Sequence, residues 1–342
     1  MAAHMPWFED KNCDMDLSLF YKKPITKDNY KLGPDQIDNP QELRRQRFLE
    51  IQKRNRDLKY NAGRDIIEIF KSDDEEEEEE EEEKMEFECS NKSKKRYERS
   101  KHYANQFMLS EWLTEVPWDI LGKWLVVPCP QGKRTLVVAR KNTTKAFNRR
   151  GNRLGKFQSL LPGGNCDEHH SHCTILDCIW IEKKKTYVVL DVLAWSNQSF
   201  LNCDSEFRFF WLQSKFQEMA DLKKGGVRNN TYPILFLPHA YIGYTLESMV
   251  ADVSAIAPLD GLLFYHRDAI YTHGRTPLVT WLKTFMLPEI LGITLPSPYN
   301  EKPDDYIDIK HYLLNFKEKK QKEKAVASTS NMEIVDEDIE SI

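Results

Sequence analysis

The stretch Trp124-Leu125-Val126-Val127-Pro128-Cys129-Pro130-Gln131-Gly132-Lys133-Arg134-Thr135-Leu136-Val137-Val138 decides how the rest of the chain is read. Two apolar, β-branched runs flank Pro128-Cys129-Pro130-Gln131-Gly132, a pattern that predicts a strand, a turn and a returning strand in one hairpin. The turn carries Lys133 and Arg134. A Gly-containing turn with adjacent cations at the lip of a buried sheet suits a phosphate, but an ordinary hairpin has the same composition. The flanking sequence has to decide.

Downstream, a basic loop with Arg140, Lys141, Lys145, Arg149, Arg150 and Arg153 leads through Phe157 to Leu161 into the turn Pro162-Gly163-Gly164-Asn165. Strands are predicted at Thr174–Ile181, Thr186–Ala194 and Phe207–Leu212, the first two joined as a hairpin by the Lys-rich turn 183–185. Leu246–Val250 reads as part of a helix, and Gly261–His266 and Pro277–Lys283 as strands. Upstream, Tyr103–Leu113 has apolar residues at helical spacing and is closed off by Val116-Pro117. Antiparallel strands with a few peripheral helices predict an α+β fold rather than a doubly wound sheet.

The ends have a different composition. Asn39-Pro40-Gln41-Glu42 supplies an N-cap, a proline at the first helical position and a Glu three residues after the cap, so a helix is expected from there to about Phe70. Between Asn39 and Arg64, eight cations (Arg44, Arg45, Arg47, Lys53, Arg54, Arg56, Lys59, Arg64) against Glu42, Glu50 and Asp57 leave +5. The apolar residues Leu43, Phe48, Leu49, Ile51 and Leu58 are too few to bury this helix in a core. It reads as a solvated face, a nucleic-acid contact or a helix for an acidic protein groove, and its place outside the globular domain favours a partner. Residues 73–83 are eleven consecutive acids, which repel one another and bury nothing. The expected division is 1–38 disordered with scattered apolar anchors (Trp7, Phe8, Met15, Leu17, Leu19, Phe20), 39–70 helical, 71–100 charged linker, 101–300 globular, and 301–342 mostly disordered tail.

The overall charge of −5 therefore hides basic segments. No apolar run approaches the ~20 residues that span a bilayer, and the polar start lacks the apolar stretch of a signal peptide, so a soluble intracellular chain without a membrane partner is expected. Its seven cysteines, irregularly spaced, read as free thiols. Cys166, His169, His170, His172, Cys173 and Cys178 look like metal ligands, but no second spaced pair accompanies them, and Cys178 sits in an apolar strand pattern. Neither a metal nor a cofactor is expected. There is no Gly-x-Ser-x-Gly elbow, P-loop or His-Glu-x-x-His, which removes support for hydrolases, P-loop enzymes and zinc peptidases.

The order of the motifs carries a resemblance. Cys129 to Arg134, Thr174 to Ile179, Tyr187 to Val192, Asp260 to Phe264 and Leu278 to Lys283 resemble, in sequence, the motifs of covalent nucleotidyltransferases, the superfamily of mRNA capping enzymes and polynucleotide ligases. Its first motif, Lys-x-Asp-Gly-x-Arg, falls here on Cys129, Gln131, Gly132 and Arg134, so the lysine that would carry the nucleotide is replaced by Cys129. The acidic end of Asp-Gly-Glu is Ile179, and the two lysines around Trp281 are Thr280 and Leu282. Covalent catalysis of this kind needs an activated amine. The pattern keeps a nucleotide-shaped site without its nucleophile, which implies a reader with no catalytic residue.

A closer resemblance is to the snurportin family, carried by Lys101 to Leu113, Ser159 to Asn165, Phe207-Arg208-Phe209 and Asp260 to His266. It implies a nuclear import adaptor shuttling between nucleus and cytoplasm. The globular domain would bind the 2,2,7-trimethylguanosine cap of spliceosomal small nuclear RNAs and their ribonucleoproteins. The basic helix would bind importin β through the cluster Arg44, Arg45 and Arg47, with Lys53 and Arg54 beyond it, and the N-terminal segment would contribute to recycling by an export receptor. The resemblance puts Trp281 under the cap base as a stacking platform, Trp112 against the N2 methyls, and Leu109, Ser110 and Cys129 along the pocket. Lys133, Arg134 and Arg149 are candidates for the triphosphate. Two alternatives compete: an active covalent-lysine nucleotidyltransferase of capping or ligase type, and a general importin adaptor whose globular domain takes a protein cargo.

Overall fold

A computed structural model describes residues 40–60, 103–165, 172–243, 245–316 and 318. The expectations for 1–38, for the helix beyond Tyr60, for the acidic run and charged linker, for Cys166, His169 and His170, and for the end of the tail fall outside the described residues.

Two sheets form the body. The first has the order β1 (Met108–Trp112), β12 (Gly274–Leu282), β11 (Leu259–His266), β2 (Trp124–Pro130) and β10 (Ala240–Tyr241). The second runs β5 (Arg153–Phe157), β4 (Thr143–Phe147), β3 (Lys133–Arg140), β6 (Cys173–Ile181), β7 (Thr186–Trp195) and β8 (Gln198–Ser199), with β9 (Ile234–Phe236) alongside β7. All pairings are antiparallel except β1 with β12 and β7 with β9. With helices α1 (Pro40–Tyr60), α2 (Ser205–Glu218), α3 (Leu246–Ile256) and α4 (309–316) at the periphery, this is the expected α+β architecture.

The first sheet has a core on each face, as the two-residue period of a strand dictates. Leu125, Val127, Cys129, Leu263, Tyr265, Val279 and Trp281 belong to the larger core, which includes the residues of the second sheet. The alternate residues Trp124, Val126, Leu262, Phe264 and Leu282 belong to a smaller core with residues of α3 and Ile309.

The opening stretch forms both predicted strands but no hairpin. β2 pairs with β11 and β10, whereas β3 pairs with β4 and β6. At Gln131-Gly132 the chain crosses from the first sheet to the second, pinned by the Gln131 amide donating to Pro258 O at 2.8 Å, and it returns between β9 and β10. Only Gly fits: a Cβ on Gly132 would lie 2.6 Å from Trp180 O. The two prolines fit because β10 reaches only Leu125 and Val126, so Pro128 and Pro130 need no N–H on that side.

Three other expectations are corrected. Phe207–Leu212 is not a strand but part of α2, because the Asp204 carboxylate caps the helix by accepting from the Phe207 amide at 2.8 Å, and Ser205, Arg208, Phe209, Leu212 and Phe216 recur inward at helical spacing. Tyr103–Leu113 is not a helix, since Met108–Trp112 gains a strand partner in β12 and the segment before it turns at Asn105 with φ +58°. Residues 309–316, assigned to a mostly disordered tail, form α4, where Ile309 is buried and Tyr312 and Phe316 meet the Trp112 ring at 5.8 and 5.9 Å.

His239 packs between Phe209 and Phe236, with ring centroids at 5.1 and 5.4 Å. Burial pushes its pKa down from 6.5 to about 4. Below pH 6.5 the unfolded chain takes a proton that the folded chain refuses, so this site loses stability as pH falls from 6.5 toward about 4. Urea unfolding should show a larger stability loss over that range for the wild-type chain than for His239→Gln. Equal losses would contradict it.

Candidate functional site

β1 and β12 run parallel with Trp112 opposite Trp281 in the register, so the two tryptophans stand on neighbouring strands. Leu109 and Ser110 lie on the same edge strand. One strand further in, Gly261 on β11 pairs with Cys129 on β2. A Cβ on Gly261 would sit 2.5 Å from the Trp281 ring, so the glycine is what lets the indole lie against the strand. Trp112, Trp281 and Cys129 thus lie toward the same end of the first sheet, with Leu109 and Ser110 earlier along β1, where Leu109 stands opposite Arg275.

Lys283 follows β12, and its ammonium lies 5.7 Å from the Trp281 ring centroid while donating to Asp260 at 2.5 Å. This face of the indole therefore already accommodates a cation, stabilised by the ring's quadrupole and restrained by a carboxylate. Lys283 and Asp260 were not singled out as site residues, although both stand in the motifs Leu278 to Lys283 and Asp260 to Phe264. Tyr312 and Phe316, which meet Trp112, lie where the composition reads as tail.

Cys129 is fully buried, with its thiol directed to Val127 O at 3.6 Å. Burial first, and then the Asp260 charge, push the thiol well above its ordinary value, which favours its neutral form.

Arg134 is a correction. It is buried, and it donates through Nε and Nη2 to both oxygens of Asp177 at 3.0 and 2.7 Å and through Nη2 to Met108 O at 2.7 Å. Its Nε and Nη2 donors are thus committed to Asp177 and the β1 backbone inside the fold. Burial alone would lower its pKa, but the Asp177 charge and hydrogen bonds more than offset that and raise it. Tyr271 completes the arrangement: its hydroxyl donates to Asp177 Oδ2 at 2.8 Å and accepts from the Met108 amide at 3.1 Å. Both backbone groups of the first β1 residue are thereby held by side chains that share Asp177, and Leu109, Ser110 and Trp112 follow directly.

The other two phosphate candidates differ from it. Lys133 is exposed and donates to Glu182 at 3.0 Å, across the second sheet. Arg149 sits in the turn between β4 and β5, where its carbonyl accepts from the Asn105 amide at 2.8 Å, which ties that turn to the segment entering β1. Among the described residues no group of three or more His, Cys, Asp or Glu is arranged to hold a metal. No described helix is long and apolar enough to cross a membrane.

The basic helix is not a separate body. The α1 residue Arg45 is buried against the domain and Arg44 pairs with Glu111, whereas Arg47, Lys53 and Arg54 are exposed. The expected set of importin contacts is therefore split in this conformation, because a helix poor in apolar residues has docked through polar ones.

Residues 106–284 match the family described as Snurportin1, m3G cap-binding domain. The described core of the chain is therefore a cap-binding module of the trimethylguanosine type. The chain belongs to the snurportin family. Among solved structures it is similar to the ligase domain of M. tuberculosis LigD, at 13% identity over 51% of this chain and 58% of that one, with a TM-score of 0.36. It is also similar to the Chlorella virus DNA ligase-adenylate, at 14% identity over 53% of this chain and 69% of that one, also with a TM-score of 0.36.

Replacing Tyr271 by Phe removes one donor from buried Asp177 and leaves the Met108 amide unpaired. The expected cost is about 1–3 kcal/mol, read as a lower urea midpoint at unchanged slope. An unchanged midpoint would show that the clamp does not hold β1.

Proposed function

We propose that this chain is an import adaptor that holds the trimethylguanosine cap of small nuclear RNAs on Trp281 and Trp112, carries the ribonucleoprotein to importin β through α1, and performs no chemistry on the cap. The observation that carries the cap reading is the register of Trp112 with Trp281 on adjacent parallel strands, inside the segment that matches the cap-binding family. N7 methylation makes the cap base a cation. Stacking it on Trp281 adds cation–π attraction of about 2 kcal/mol or more once desolvated to ordinary base stacking of roughly 1–3 kcal/mol. Lys283 would yield its place over the ring to that cation and remain tethered to Asp260.

The N2 methyls remove donors that an ordinary guanine pocket would pair. A wall made of Trp112 and Leu109 leaves nothing unsatisfied against them, whereas a monomethylated base would strand its amino group there. Lys133 and Arg149 remain the candidates for phosphate charge, with Arg134 reassigned to holding β1. The absence of chemistry is supported by Cys129, whose buried thiol stands where a covalent nucleotidyltransferase keeps its lysine. Nuclear and cytoplasmic shuttling, and an export receptor acting on the N-terminal segment, belong to the same proposal through the family resemblance.

The two functions should separate by mutation. Trp281→Ala is expected to lose at least about tenfold in trimethylated-cap affinity, the loss of some 1.4 kcal/mol of stacking, with importin β binding intact. Arg44/Arg45/Arg47→Ala should do the reverse. Titration of both variants with a capped dinucleotide and with importin β checks this, and a shared loss of both ligands would contradict the two-module reading.

A further inference from the structure

Helix α1 lies on the domain in the opposite sense to a permanent core element. Its buried side chains are polar, with Gln41, Arg45 and Gln52 only 3%, 2% and 6% exposed, while Leu43 and Ile51 point outward at 47% and 40%. A helix kept for stability buries its apolar stripe. This one is held by hydrogen bonds and charge.

The contacts converge on the edge strand and the residues after it. Arg44 forms a two-pronged pair with Glu111 at 2.6 and 2.8 Å, the Gln41 amide donates to the Glu115 carboxylate at 3.0 Å, and Arg45 Nη2 donates to Glu115 O at 2.8 Å. Gln41 Nε2 reaches Trp112 O at 3.0 Å, so the helix covers an open edge of β1. At the far end, Gln52 donates to Thr272 Oγ1 at 3.1 Å and accepts from the Ile270 amide at 3.3 Å. Arg45 also lies 5.3 Å from the Trp124 ring centroid, yet its Nε is buried with no hydrogen-bond partner in the structure. Burial pulls that guanidinium below its ordinary pKa despite the nearby carboxylates. The docked state therefore leaves unsatisfied a donor that a fully acidic groove would pair.

We propose that the Glu111–Glu115 edge of the cap-binding domain is an interaction surface for the chain's own basic helix, and that this docking competes with capture of α1 by an acidic protein partner. The proposal rests on the adaptor reading above. A guanidinium fork serves one carboxylate geometry at a time, and Arg45 cannot be reached while it lies on Trp124. Release presents Arg44, Arg45 and Arg47 together with Leu43 and Ile51, which suits a groove that is acidic and partly apolar. Because the same helix closes the edge of the strand carrying Ser110 and Trp112, the domain end that reads the cap and the helix that reads the partner share one surface.

The test uses the full chain with Glu111→Gln/Glu115→Gln, and separately with Gln52→Ala, which loosens the far end without touching β1. Hydrogen exchange over residues 40–52 should become faster in both, and calorimetric affinity for importin β should rise, by about tenfold in the double variant. Faster exchange with unchanged importin β affinity would overturn the competition while leaving the adaptor reading intact. Unchanged exchange in both variants would overturn the docking surface itself. Failure of every chain, wild type included, to bind importin β would defeat the adaptor reading and the competition with it.

Discussion

The buried pair of Arg134 and Asp177 is the constraint on which the rest of the architecture leans. β3 and β6 belong to the second sheet, yet Arg134 and the Asp177 partner Tyr271 both reach Met108 at the start of β1 in the first. A second fully buried pair, Arg208 with Asp191, repeats the device, with Arg208 also donating to Cys203 O and Ala269 O. Removing two charges from water costs several kcal/mol per ion unless geometry and further hydrogen bonds repay it. Here the contacts to Asp177, Met108, Asp191 and Ala269 do so by tying separate segments together. The chain passes between the two sheets at Gln131-Gly132 and again between β9 and β10, and these buried pairs add side-chain ties between one sheet and the other.

That constraint explains what could be read from residues and what could not. The long strands β2, β3, β6, β7, β11 and β12 were visible because continuous β-branched runs between turn residues have few other solutions, whereas β4 and β5, rich in cations, read as a basic loop and β1 as a helix. Their partners were not: Trp124–Pro130 and Lys133–Arg140 look like a hairpin because a run buried on both faces carries no record of which strand lies beside it. Phe207–Leu212 was misread because its aromatic density imitates a strand, and only the Asp204 cap and the spacing to Phe216 reveal the helix. At the candidate site, the tryptophans and Cys129 were named from their motifs, and the register sets Trp112 opposite Trp281 and Cys129 opposite Gly261. Arg134 was assigned to phosphate because a cation beside Gly132 is indistinguishable in sequence from one that turns inward to a carboxylate 43 residues away.

The basic helix shows the same limit from the other side. Its charge correctly predicts an appetite for carboxylates, but composition cannot say whose. In this conformation they are Glu111 and Glu115 of the same chain, beside the strand that carries Trp112. The cap-binding domain and the basic helix thus meet at one sheet edge.

The proposed cap site reads a methylated base with the side chains of Trp281, Trp112 and Leu109. Fluorescence titration of the full chain with trimethylated and monomethylated capped dinucleotides tests this most directly. Tryptophan quenching with tighter binding of the trimethylated cap is the predicted result, because Trp112 and Leu109 would favour methyls over an unpaired amino group. Equal affinity for the two caps, or no binding of either, would contradict it.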